Sequence, residues 1–188
     1  MFHTVPLPAD VSRLPDWAGL AKPADTLCQN WLFDTGSLTR RLKQLSAGHF
    51  SVTPLRQGLA ELREDECQAL GLAPGTKGWV REVYLNGRGS PWVFARSVAS
   101  QQALGQDDFP LTVLGSRSLG ELLFVEGGFS RGPIETCLYP TGLLPGSPLH
   151  NAPWARRSRF DRGTLSLLVA EVFLPEFWAT VPCSLETP

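Results

Sequence analysis

No stretch of the sequence approaches the ~20 consecutive apolar residues that span a bilayer. The opening residues, Met-Phe-His-Thr-Val-Pro-Leu-Pro, hold neither a basic nor an apolar signal region. Both absences imply a soluble, cytoplasmic protein. A basic excess is missing too. The formal net charge is −1, which argues against a general binder of nucleic acid or anionic membranes. The four cysteines, Cys28, Cys67, Cys137 and Cys183, form no Cys-x-x-Cys pair, and none stands beside a histidine at zinc-ligand spacing. They read as reduced thiols of a cytosolic chain. His3, His49 and His150 lie far apart without partner motifs and read as ordinary residues. No P-loop, dinucleotide glycine fingerprint or metal-ligand cluster is present. The stretch 128–132, Gly-Phe-Ser-Arg-Gly, is not taken as a nucleophile elbow.

What is present is ordinary globular composition, 43% hydrophobic and 19% charged over 188 residues, enough to bury a core without disulfide staples. Residues 1–26 are rich in proline and read as an irregular arm. A single domain is expected over 27–178, with a tail at 179–188. Helices are predicted at 26–33 and 38–45, the second capped by Ser37. A strand follows at 50–59, where Pro54 demands an edge or a bulge. A short helix is expected at 64–70. The clearest element is a hairpin, 78–85 and 91–100, around Asn86-Gly87-Arg88-Gly89. Ser118 and Glu121 are spaced as a capping box for a helix at 119–125. A strand at 132–139, a proline-rich loop at 140–153 and a last hairpin, 156–161 and 164–175, complete the chain. Tight turns outnumber long crossovers, so the fold class is α+β: an antiparallel β-sheet with flanking helices.

Three charged residues sit where core is expected. Glu171 is the only charge in Leu-Ser-Leu-Leu-Val-Ala-Glu-Val-Phe-Leu, 165–174, and strand alternation puts it with Leu167, Val169 and Phe173. An unpaired carboxylate there costs several kcal/mol, so Glu171 demands a cation, a proton or a ligand. Arg81 shares a strand face with Trp79, Val83 and Leu85. Arg96 shares one with Trp92, Phe94 and Val98. Two guanidiniums and one carboxylate in an apolar pocket suit a small cyclic carboxylate, because arginine matches a carboxylate with a planar fork. The competing reading is a structural Arg81–Glu171 ion pair, with Arg96 at an edge. The run Arg156-Arg157-Ser158-Arg159 reads as a solvated strand edge or as a collector of anionic substrate.

Several segments, taken in order, resemble bacterial chorismate pyruvate-lyase. They are Trp31-Leu32-Phe33-Asp34-Thr35-Gly36-Ser37-Leu38-Thr39-Arg40-Arg41, Trp79-Val80-Arg81-Glu82-Val83 and Pro91-Trp92-Val93-Phe94-Ala95-Arg96-Ser97-Val98. Ser118-Leu119-Gly120-Glu121-Leu122-Leu123-Phe124, Ala155-Arg156-Arg157-Ser158-Arg159 and Ala170-Glu171-Val172-Phe173-Leu174-Pro175 follow. The resemblance implies a cofactor-independent, metal-free monomer that converts chorismate to 4-hydroxybenzoate and pyruvate, the first committed step of ubiquinone biosynthesis. It implies that Arg81 and the Leu119 amide hold the ring carboxylate, that Glu171 meets the 4-hydroxyl, and that Leu38 contacts the ligand. Arg96 or Arg157 is the candidate for the enolpyruvyl carboxylate. The rival is a non-catalytic binder of small aromatic acids, like the effector domains of some bacterial transcription regulators. Such regulators carry a basic helix-turn-helix domain, for which the first ~30 residues leave no room.

Overall fold

The structure, a computed structural model, describes residues 14–18, 23–104, 111, 114–125, 128–146 and 149–181. His3, Cys183, most of the 1–26 arm and residues 182–188 of the tail lie outside the described residues. Helices α1 (Thr26–Leu32) and α2 (Leu38–Leu45) precede strand β1 (Phe50–Glu61) and helix α3 (Glu64–Leu70). The β2 (Lys77–Gly87) and β3 (Ser90–Ser100) hairpin follows, then short α4 (Gln101–Leu104) and α5 (Leu119–Val125). Strands β4 (Ser130–Arg131) and β5 (Glu135–Leu138) lead to the last hairpin, β6 (Trp154–Arg162) and β7 (Leu165–Phe173), and to α6 (Pro175–Trp178). No helix among the described residues is long and apolar enough to cross a membrane.

The seven strands of the described residues join one sheet, ordered β1-β2-β3-β7-β6-β4, with β5 also on β6, and every pairing is antiparallel. The expected α+β class is what forms. Asp25 and Ser37 cap α1 and α2 by accepting from the Cys28 and Arg40 amides. Strand β1 lies at the sheet edge with a register shift between Pro54 and Arg56, because proline cannot donate to a ladder. The strand expected at 132–139 is two pieces, β4 and β5, divided at Gly132-Pro133-Ile134. The letters of 128–132 do satisfy G-x-S-x-G. Ser130, however, lies exposed on a two-residue edge strand, and its Oγ donates to Asp161 O.

Each sheet face carries two apolar clusters. On one face, Trp31, Leu38 and Leu42 pack on Val83, Ala95, Phe173 and Phe177. On the same face, Leu119, Leu122 and Leu123 pack on Trp79, Ala99, Phe160 and Leu167. On the opposite face, Phe94, Tyr139 and Val172 gather around Trp17, which anchors the described part of the arm. Helix α3 covers Val80, Val98 and Leu168 there. Cys28, Cys67 and Cys137 are buried and free. Burial pushes the Cys28 and Cys137 thiols up to about 11 and about 12.

Candidate active site

Between the two clusters of the first face lies a pocket floored by two rows of side chains. One row crosses the sheet as Arg81, Ser97 and Val169, continuing past the pocket lining to Ser158; the next runs Val83, Ala95, Glu171 and Arg156. Leu38 and Thr39 of α2 and Leu119 and Gly120 of α5 close the pocket over this floor. The two helices meet tightly: Thr39 Oγ1 and Ser118 Oγ are 2.6 Å apart, and a Cβ on Gly120 would lie 2.8 Å from Thr39 Oγ1. Only glycine lets α5 approach this closely.

Arginine dominates the lining. Arg81 is 2% exposed. Its Nη2 donates to the carbonyls of Gly115 and Arg117 at 2.9 and 2.8 Å, and its Nε is buried without a partner. No carboxylate offsets it among the described residues, and burial lowers its pKa from the ordinary guanidinium value. Arg156 is different. Its Nε donates to Glu171 Oε2 at 2.6 Å, and its Nη1 donates to the carbonyls of Trp31 and Asp34 at 3.0 and 2.8 Å. It thus satisfies carbonyls that the end of α1 leaves free. Arg131 is the third. Its Nε donates to Ser158 Oγ at 3.0 Å and its Nη1 to Thr35 O at 3.0 Å. Three arginines and one glutamate line the pocket, an excess of two positive charges. A low-dielectric pocket so charged suits a dianion.

A family profile described as chorismate lyase matches residues 20–182. The chain belongs to the chorismate lyase family. It is 58% identical over 178 residues to a Pseudomonas putida protein named "Probable chorismate pyruvate-lyase", covering 95% of this chain and 96% of that one. A Pseudomonas entomophila relative named "Probable chorismate pyruvate-lyase 2" is 56% identical over the same length, with the same coverage of both chains. Among solved structures, the effector domain of PhnF from Mycobacterium smegmatis is similar at a TM-score of 0.49 and 15% identity, covering 76% of this chain and 91% of that one.

Of the residues expected at the site, this chorismate lyase family chain brings together Arg81, Glu171, Leu38 and Leu119. The alternative Arg81–Glu171 ion pair does not form, since the partner of Glu171 is Arg156. Two expectations are corrected. Arg96 and Arg157 lie on the opposite face, opposite Glu82 and Ala170 in the ladders. There Arg96 Nε and Nη2 donate to Glu66 Oε1 and Oε2 at 2.6 and 2.9 Å, and its Nη1 reaches Glu82. Arg157 pairs with Glu135 and stacks over Trp17. Both are committed to structural pairs behind the sheet. Ser118 meets Thr39, and Glu121 pairs with Lys43 of α2, so both residues tie α5 to α2. Sequence reasoning missed Arg131, which stands on a strand too short to show periodicity, and did not separate Arg156 from its neighbours.

Proposed function

We propose that the protein converts chorismate to 4-hydroxybenzoate and pyruvate, the activity for which its Pseudomonas relatives are named. The observation that carries this reading is Arg81, a buried guanidinium with an unpartnered Nε and, among the described residues, no carboxylate against it, in the same pocket as Glu171. Arg81 and the Leu119 amide hold the ring carboxylate. Glu171 Oε1 accepts the hydrogen bond of the 4-hydroxyl, while Arg156 fixes Oε2. Leu38 packs on the ring.

The reaction asks for orientation more than for reactive groups. The ring C4–H bond and the C3–O bond to the enolpyruvyl group break. The C4–H electron pair becomes ring π-bonding, and the proton ends on the departing enolpyruvate, which becomes pyruvate. Aromaticity supplies the driving force. The pocket's part is to hold one conformer and to meet the charge that develops on the leaving group.

Purified protein incubated with chorismate, without added metal, is expected to release pyruvate and 4-hydroxybenzoate in equal amounts. Release no faster than spontaneous decay would overturn the reading. Tight 4-hydroxybenzoate binding without turnover would instead assign a carrier of aromatic acids.

A further inference from the structure

We infer that Arg131 is the specificity determinant for the second carboxylate of the substrate, the one borne by the enolpyruvyl side chain. The inference rests on the chorismate reading above and adds a residue to it.

The pocket holds an excess of two positive charges. Arg156 is neutralised by Glu171 and its Nη1 is tied to the end of α1. Among the described residues, the arginines of the pocket without a carboxylate bound to them are therefore Arg81 and Arg131. A ring with one carboxylate uses one of them. A dicarboxylate uses both.

Position agrees with charge. Arg81 begins the cross-sheet row that ends at Ser158, and Ser158 Oγ accepts from Arg131 Nε. Three strand spacings separate the ends of that row, roughly 14 Å. A ring carboxylate on Arg81 leaves the three-carbon acid, attached at C3 next to the 4-hydroxyl carbon, directed toward the Arg131 end. Glu171 stands two residues along β7 from Val169, beside the middle of the row. The 4-hydroxyl is there.

Arg131 is also held for the task. Ser158 fixes Nε, Thr35 O takes Nη1, and its guanidinium lies 5.3 Å from the centre of the Phe160 ring. Nη2 carries no bond among the described residues. A guanidinium restrained on one side and open on the other loses little freedom on meeting an anion. Burial and the neighbouring Arg156 charge outweigh the attraction of Glu171 and Asp34 and lower its pKa. A carboxylate would relieve that strain of like charge.

The test separates the two acids. Arg131→Gln is expected to lower kcat/KM for chorismate ~10²-fold, the loss of one charge-assisted contact, while the Kd for 4-hydroxybenzoate changes less than about twofold. Arg131→Lys keeps the charge without the fork and is expected to fall between. Should Arg131→Gln fail to fold, Arg131→Lys carries the same comparison. Unchanged chorismate kinetics in these variants would overturn the inference. So would equal losses of chorismate turnover and 4-hydroxybenzoate binding, which would make Arg131 a fastener of the 34–36 turn. If the unsubstituted protein fails to turn over chorismate, the functional reading itself has failed, and the outcome is distinct.

Discussion

Arg156 Nε lies 2.6 Å from Glu171 Oε2 while Arg156 Nη1 holds the carbonyls of Trp31 and Asp34. One guanidinium thus aims the carboxylate and pins the end of α1 beside the pocket. Arg156 is 1% exposed, so its loss strands a carboxylate and several carbonyls away from water. Arg156→Gln is expected to cost about 3 kcal/mol or more and to lower Tm by ~10 °C, with turnover lost. Glu171→Gln keeps an acceptor in place and should cost less stability. Thermal melts of the two variants check the order.

Arg81 predicts the opposite balance. Its replacement removes a buried cation that no carboxylate of the described residues offsets, but also two bonds to the carbonyls of Gly115 and Arg117. These effects oppose each other. Arg81→Gln should change stability by less than about 2 kcal/mol, yet lower kcat/KM by ~10²–10⁴ and weaken 4-hydroxybenzoate binding in parallel. Melting and steady-state kinetics on one preparation test both halves.

Acid should act first on the opposite face. Burial opposes ionisation of Glu66, but bonds from Arg96 and attraction to Arg63 and Arg96 outweigh it and hold its carboxyl below the ordinary glutamate range. A carboxyl depressed in the folded state stabilises fully above its unfolded value, and that contribution fades as pH falls through the folded value. Stability should therefore drop below about pH 4.5. In Glu66→Gln that part of the pH dependence should vanish, at a lower plateau. Urea midpoints between pH 3 and 7 measure it, in units set by the two curves.

The strand pattern made Arg81 and Glu171 legible, because each interrupts an apolar alternation. The misplacement of Arg96 has a local cause. A plain two-residue turn at Arg88-Gly89 would set Arg81 opposite Arg96. The ladder instead shifts by one between Asn86↔Pro91 and Leu85↔Val93, leaving Trp92 as the extra residue and Arg81 opposite Ser97. A one-residue slip moves every later side chain to the other face. The bulge is built in: Trp92 is fully buried, and its ring lies 2.2 Å from where a Cβ on Gly87 would stand. Similarly, Arg156 faces Glu171 only because the last hairpin turns at Gly163-Thr164, pairing Arg162 with Leu165. A turn placed one or two residues earlier hides that pair. Arg131 had no comparable signal, since its two-residue strand is defined by the partner it finds across the sheet.

The most direct measurement is a crystal structure of the protein with 4-hydroxybenzoate bound. The account predicts the carboxylate on Arg81 beside the Leu119 amide, the hydroxyl on Glu171, and Arg131 free of the ring acid. A ring bound elsewhere, or reversed with its hydroxyl on Arg81, would contradict it.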